Sequence, residues 1–173
     1  MAFKEPQNPG SRPDIKRIGV ISDTHGLIRP EALAALQGSE LIIHAGDIGS
    51  LHVLDSLCAI APVVAVRGNM DGGWAETLPE TEVVEAGEFL IYIIHDLAKL
   101  DLDPASAGFN AVVCGHSHRP SLERVNGVLF LNPGSAGPKR FELQPSMAII
   151  DVNDGNLEPL LIELKTGVLR QTG

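Results

Sequence analysis

Cysteine is almost missing from this 173-residue chain: Cys58 and Cys114 stand far apart and belong to no C-x-x-C pair. Their scarcity excludes a disulfide framework and a thiolate zinc site, and two reduced, buried thiols are the expectation. Aromatic residues make up 4%, with one Trp and one Tyr, so a core must be built from Val, Ile, Leu and Ala, which suits closely packed sheets and helices. Positive charge is also short. Lys and Arg number 13 against 22 Asp and Glu, for a net charge of −9, and no basic stripe is visible. That balance argues against an extended nucleic-acid surface. No apolar run is long enough to span a bilayer, and residues 1–16 lack the apolar segment of a secretory signal, so a cytoplasmic location without a membrane partner is expected. Glycine loops of the GxGxxG or GxxxxGK[ST] type are absent too.

What remains is an apolar chain, 44% by composition, sized for one domain. We expect a polar, mobile N-terminal tail over residues 1–14 and a single domain over residues 15–173. Ile15 to Ser22 reads as a buried strand. Pro30 then opens a short helix that Gly38 closes. Leu41 to His44 is a second strand, and Ser50 caps a helix whose Leu51, Leu54, Leu57 and Cys58 are expected on its apolar face. Val63 to Val66 completes a rhythm of parallel β-α-β units. Beyond Pro79 the pattern changes to strand pairs: Glu82 to Ala86 with Phe89 to Ile94 about Gly87, Leu122 to Val125 with Val128 to Leu131 about Asn126-Gly127, and Met147 to Val152 with Leu157 to Leu164. The expected fold is α/β: a four-layer α-β-β-α sandwich of two stacked mixed β-sheets, with strand ends gathered along one edge.

Five short polar clusters interrupt the apolar runs: Asp23-Thr24-His25, Gly46-Asp47, Gly68-Asn69, His95 and Gly115-His116-Ser117-His118. Each follows a strand-like segment. Together they hold two carboxylates, four imidazoles and one carboxamide, an inventory suited to two divalent ions. Residues i and i+2 of a turned segment project to the same side, so Asp23 with His25, and His116 with His118, present paired ligands. Either pair alone is a common accident of polar loops. Four of the chain's six histidines in such clusters, beside glycines, are poorly explained by chance.

The ordered set resembles the calcineurin-like metallophosphoesterases, in particular small single-domain phosphodiesterases of the YfcE type from bacteria and archaea, over about Ile18 to Arg140. The resemblance implies that Asp23, His25 and His118 hold one metal, that Asn69, His95 and His116 hold the other, and that Asp47 bridges them. It implies hydrolysis of a small phosphodiester by a metal-bridging hydroxide, with Asp47, Asn69 and Asp71 as catalytic groups. Two divalent ions against two carboxylates leave a charge of about +2 to attract a phosphate. Manganese is the first expectation for the cofactor pair, with zinc, iron, nickel or cobalt also suited to nitrogen and oxygen donors. Ser22, Ser117 and Ser135 read as supporting loop groups rather than nucleophiles.

Several residues keep two readings. Asp71 is either a proton donor to the leaving alkoxide or a structural loop carboxylate, and nearby cations oppose the acid role. Asn132-Pro133-Gly134-Ser135 matches a family segment at the edge of the site, and is equally a tight turn. Lys139, Arg140, Arg67 and Arg119 either meet a phosphate or are solvated cations. His44 reads as a hydrogen-bonded histidine of the core or behind the ligands, and His52 as a helix-face residue. Asp96 departs from the family's His-Gly pair. Two alternatives to the enzyme are a non-catalytic scaffold of the same fold, as the retromer subunit is, and a metallo-β-lactamase-type hydrolase. The second needs His-x-His-x-Asp-His, whereas Arg119-Pro120-Ser121 follows His118. Exposed β edges leave a homodimer open.

Overall fold

A computed structural model describes residues 14–140 and 142–165; the tail expected over residues 1–14 lies, but for Asp14, outside the described residues. Ten strands form two mixed five-stranded sheets. The first contains β1 (Arg17–Ile21), β2 (Leu41–His44), β3 (Val63–Ala65), β9 (Ser146–Asn153) and β10 (Asn156–Glu163), in the order β10-β9-β1-β2-β3. The second contains β4 (Thr81–Ala86), β5 (Phe89–Ile94), β6 (Ala111–Val113), β7 (Ser121–Val125) and β8 (Val128–Asn132), in the order β4-β5-β6-β8-β7. β1, β2 and β3 run parallel, as do β5, β6 and β8, while the flanking strands are antiparallel.

The period-two pattern explains the stacking. Ile18 and Val20 of β1, Ile43 of β2 and Ile150 of β9 meet Ile91 and Ile93 of β5, Val113 of β6 and Leu131 of β8 between the sheets. The alternate residues Ile42, Met147 and Ile149 face outward, where helices α1 (Pro30–Leu36) and α2 (Leu51–Cys58) cover them with Leu36, Val53 and Leu57. On the far side of the second sheet, Tyr92, Ile94 and Val112 are covered by Leu100, Leu102 and Phe109 from the β5–β6 connection. That outer layer is an irregular segment with one 3-10 turn over Leu97–Lys99.

Helix α2 begins as expected, with the Ser50 hydroxyl accepting from the His52 N–H at 3.2 Å, and His52 is exposed. Its apolar face differs from the expectation. Val53 and Leu57 are buried, whereas Leu51 is 52% exposed and Cys58 is exposed. Two short turns of helix expose one flank, so four-residue spacing from Val53 to Leu57 defines the seam. The expectation of two buried thiols is corrected accordingly: only Cys114 is buried, and burial pushes its thiol up to about 11. Asn126 and Gly127 join β7 to β8 with φ of 51° and 82°, the two-residue hairpin that Asn-Gly prescribes.

No helix among the described residues is long and apolar enough to cross a membrane. The topology has one consequence for function. β1, β2, β3, β5, β6 and β8 all belong to parallel pairs, and each delivers its following loop to the same edge of the sandwich.

Candidate metal centre

All seven candidate ligands occupy those loops: Asp23 and His25 after β1, Asp47 after β2, Asn69 after β3, His95 after β5, His116 and His118 after β6. Backbone hydrogen bonds fasten one loop to the next. Asp23 N–H donates to Gly46 O at 3.0 Å, His25 N–H to Asp47 O at 3.0 Å, and Gly115 N–H to His95 O at 2.9 Å. Six non-glycine residues among those described have positive φ, and five are candidate ligands: Asp23, His25, Asp47, His116 and His118. A left-handed backbone at an aspartate or histidine costs on the order of 1–3 kcal/mol, so strain concentrated here marks a site that the rest of the fold holds in place.

Two glycines make the convergence possible. A Cβ at Gly46, where φ is 93°, would lie 2.6 Å from His95 Nδ1, and one at Gly115 would lie 2.8 Å from Asp23 Oδ2.

The side chains form two groups that share Asp23. Asp23, His25 and His118 gather within 4.8 Å, as do Asp23, Asp47 and His95. The Nε2 atom of His118 is 3.3 Å from Asp23 Oδ1 and 3.3 Å from His25 Nε2. The Asp47 Oδ2 atom is 3.5 Å from His95 Nε2 and 3.9 Å from His25 Nε2, which sets it between the two groups. Asn69 Oδ1 lies 3.1 Å from His95 Nε2 and 3.0 Å from His116 Nδ1. Arg140 reaches the rim, with Nη2 3.5 Å from His25 Nε2.

Surrounding groups fix each ring and carboxylate. His95 Nδ1 donates to Ala45 O at 2.7 Å, which leaves Nε2 to face the site. Asp23 Oδ2 accepts from the Ser22 hydroxyl at 2.7 Å and from the His116 N–H at 3.1 Å. Asp47 Oδ1 accepts from the Met70 N–H at 2.8 Å. Ser135 donates to Asp23 O at 2.9 Å, and the Asn132 amide donates to Gly115 O at 2.7 Å and to Ser117 Oγ at 3.1 Å. Thus Asn132-Pro133-Gly134-Ser135 is a buckle between the β1 and β6 loops, and all three serines support the loops as expected.

Asp71 is similarly engaged. Its Oδ2 accepts from Ile48 N–H at 3.1 Å and Gly68 N–H at 2.9 Å, and its Oδ1 from Gly49 N–H at 3.0 Å. His44 is fully buried: Nδ1 accepts from Gly46 N–H at 3.2 Å, so Nε2–H donates to Thr24 Oγ1 at 2.9 Å, and Thr24 in turn donates to Ile48 O at 2.9 Å. That relay ties the β1 and β2 loops, in keeping with the reading of His44 as a hydrogen-bonded histidine of the core or behind the ligands. Arg67 pairs with Glu80 at 2.6 Å, and Arg119 and Lys139 are exposed.

Protonation follows burial and partners. Burial raises the pKa of Asp23, even with Ser22 donating to it. Burial also pushes Asp47 upward, but the His95 ring beside it and the hydrogen bond from the Met70 N–H outweigh it and hold the carboxyl below its ordinary value. Burial would lower His95, and contact with Asp47 reverses that and raises it, whereas His118 is lowered by burial.

The donor set fits divalent cations. Asp23 Oδ1 is buried and accepts no hydrogen bond, although His118 Nε2 is near, and Asn69 Oδ1 meets a ring nitrogen whose proton sits on the opposite side. Lone pairs aimed at one another are stable when a cation lies between them.

Comparison with known proteins agrees. Residues 17–155 match the calcineurin-like phosphoesterase superfamily domain. The chain belongs to that superfamily. This metallophosphoesterase is 38% identical to a probable metallophosphoesterase of Methanocaldococcus jannaschii, over 86% of this chain and 81% of the relative. Among solved structures, an archaeal phosphodiesterase matches with a TM-score of 0.70 and 26% identity, covering 84% of this chain and 99% of its own. Vps29 of Chaetomium thermophilum shares the fold, with a TM-score of 0.70 at 22% identity over 86% of this chain and 96% of that one.

Beside Asn69 and His95 the metallophosphoesterase opens a cleft of about 440 Å³ between the β4–β5 end and the Leu97–Lys99 turn. Tyr92, Lys99 and Asp101 in its wall were not singled out from sequence. The alternation in β5, which puts Leu90, Tyr92 and Ile94 on one side, carried that signal for Tyr92.

Proposed function

We propose that this protein is a phosphodiesterase acting on small diesters at a pair of divalent cations, with Asp23, His25 and His118 holding one ion, Asn69, His95 and His116 the other, and Asp47 between them. The observation that carries the reading is the position of Asp47 Oδ2, between His25 of one group and His95 of the other. The division into two sets is supported by the grouping of Asp23, His25 and His118 within 4.8 Å. Nitrogen and oxygen donors without thiolate suit manganese, iron, zinc, nickel or cobalt alike, and manganese is the expected ion from the family resemblance.

When bound, such a pair lowers the pKa of a shared water, so that hydroxide is the nucleophile, and draws charge from the phosphoryl oxygens. The chain's own work is placement. Ala45 orients His95 through Nδ1, Ser22 and the His116 N–H orient Asp23, and the Met70 N–H orients Asp47. Neutral His and Asn donors preserve the positive excess that attracts a phosphate. Asp71, with both oxygens taken by backbone N–H groups, acts as a positioning residue that clamps the Asp47 loop to the Asn69 loop, in place of a proton donor. A complete donor set also weighs against a scaffold without catalysis.

The test is hydrolysis of bis(p-nitrophenyl) phosphate and of p-nitrophenyl phosphate by protein loaded in turn with manganese, zinc, nickel and cobalt, with metal content measured in parallel. Metal-dependent turnover with the diester preferred is the expected result. Inert protein carrying two ions per chain would overturn the reading.

A further inference from the structure

The cleft beside the second ligand group is built for more than a phosphate. Its wall includes Arg67, Glu80, Tyr92, Asp96, Lys99 and Asp101. Arg67 and Glu80 neutralise one another at 2.6 Å. Asp96 turns one oxygen to the Ala98 N–H at 3.0 Å and leaves Oδ2 4.0 Å from His116 Nε2, at the boundary between cleft and metal site. Lys99 and Asp101 form no ion pair among the described residues. The free charges are therefore two carboxylates and one ammonium, arranged around one cavity.

Tyr92 supplies an independent observation. It is 9% exposed, its ring packs against Phe109 with centroids 5.0 Å apart, and its hydroxyl enters no hydrogen bond among the described residues, although it lines the cleft. The hydroxyl itself is not buried, so a ring held in place by packing offers the cleft a free donor and acceptor for a polar ligand.

These features select one chemistry. A second anionic group would meet Asp96 and Asp101, and a cationic group would pair with those carboxylates but offer no acceptor to Lys99 or to the Tyr92 hydroxyl. An apolar or aryl arm would strip water from all of them without returning a hydrogen bond. Neutral hydroxyls donate to the carboxylates and accept from the ammonium and phenol at once. The volume is within the range of pockets that hold a small ligand, about 300–1,000 Å³. We propose that the cleft receives the alcohol arm of the diester, and that this arm carries a vicinal diol, as glycerol and ribose do, read by Tyr92, Asp96, Lys99 and Asp101. This assignment rests on the phosphodiesterase reading and adds to it the substrate class.

Calorimetric titration of the manganese-loaded full chain with glycerol 3-phosphate and with propyl phosphate tests it, because the two differ only in the diol. Glycerol 3-phosphate is expected to bind about tenfold more tightly, the effect of one or two well-placed hydrogen bonds. Tyr92→Phe keeps the ring on Phe109 and removes only the hydroxyl, and it should shrink that ratio, as should Asp101→Asn. Ribose 5-phosphate in parallel separates the sources: tighter binding than glycerol 3-phosphate assigns the cleft to a ribosyl arm, weaker binding to a glyceryl one. Equal affinity for glycerol 3-phosphate and propyl phosphate, in protein that still hydrolyses bis(p-nitrophenyl) phosphate, overturns the diol assignment alone. Protein that binds neither ligand and hydrolyses neither chromogenic ester overturns the phosphodiesterase reading with it.

Discussion

The Nε2 atoms of His25 and His118 lie 3.3 Å apart although 93 residues separate them in the chain. Asp23 Oδ1 is as near to His118 Nε2, and accepts no hydrogen bond. Such an arrangement is comfortable around a cation and leaves a buried carboxylate oxygen unsatisfied without one. Chelation is therefore expected to abolish hydrolysis and to lower the melting temperature, and added manganese to restore both. Ion at a hundred times its dissociation constant stabilises by about 2.7 kcal/mol, a shift that a thermal melt resolves readily. An unchanged melt after verified metal removal would contradict the fit of these residues to a cation.

Asp47 stands between the two ligand groups, so its loss should be felt by both. Asp47→Ala is expected to reduce turnover of bis(p-nitrophenyl) phosphate by at least about a thousandfold and to lower the bound metal below two ions per chain. The Met70 N–H would also lose its acceptor, so circular dichroism should confirm a folded protein. Turnover near the wild-type rate would remove Asp47 from the site.

Asp71 distinguishes a clamp from an acid. Asn in its place keeps one acceptor oxygen but turns an NH₂ group toward a backbone N–H, either at Gly49 or at Ile48 and Gly68. Asp71→Asn should weaken metal affinity by roughly 10–100-fold, the usual effect of losing a group that orients a ligand loop, and leave the alkaline limb of the pH profile in place. Disappearance of that limb would restore the proton-donor role.

Much of this site was legible in the sequence because its signals are local. Asp-x-His, Gly-Asp, Gly-Asn and Gly-His-x-His each place a donor next to a residue that permits a sharp turn, and apolar runs before them mark the strands. The hairpin at Asn126-Gly127 was legible for the same reason. What escaped depends on contacts between segments far apart. The three N–H groups on Asp71 come from two loops, and the hydrogen bond from His44 to Thr24 crosses 20 residues. Leu51 and Cys58 were misplaced because short helices satisfy more than one apolar spacing, and only the sheet beneath α2 decides between them. The cleft wall at Tyr92, Lys99 and Asp101 is assembled from a strand and an irregular connection, with no motif to announce it.

Asn132 holds the His116–His118 loop through Gly115 O and Ser117 Oγ, and accepts from Gly134 N–H at 2.9 Å, while only 4% exposed. Asn132→Ala leaves the Gly134 N–H without its acceptor and the Gly115 carbonyl with the Ser117 N–H as its one remaining donor. A cost of about 1–3 kcal/mol in urea unfolding is expected for groups so buried. Metal affinity should drop as well, because both histidines sit in left-handed backbone that the buckle helps to hold. Loss of stability without any loss of metal affinity would show that the loop is held by other contacts.

His44 should give the metal-free protein a specific acid sensitivity. Burial lowers its pKa from 6.5 to about 3, since a charged imidazole is excluded from a site where Nδ1 already accepts from Gly46. The folded state therefore binds fewer protons than the unfolded one between those values. The associated stability is complete above pH 6.5 and is lost as the pH falls toward 3. By pH 4 the loss amounts to about 3 kcal/mol, at roughly 1.4 kcal/mol per unit. Asp47, held below its ordinary value, adds a loss in the same direction only below pH 3.8. The raised pKa values of Asp23 and His95 oppose that loss and the lowered one of His118 adds to it, so the His44 share is read as the difference between wild type and His44→Gln in urea unfolding of chelated protein at pH 7, 5 and 4. His44→Gln should be less stable at pH 7 through its broken hydrogen bonds, yet flatter between pH 6 and 4, because the group that excludes the proton is gone. A variant as acid-sensitive as the wild type would assign the proton uptake to other residues.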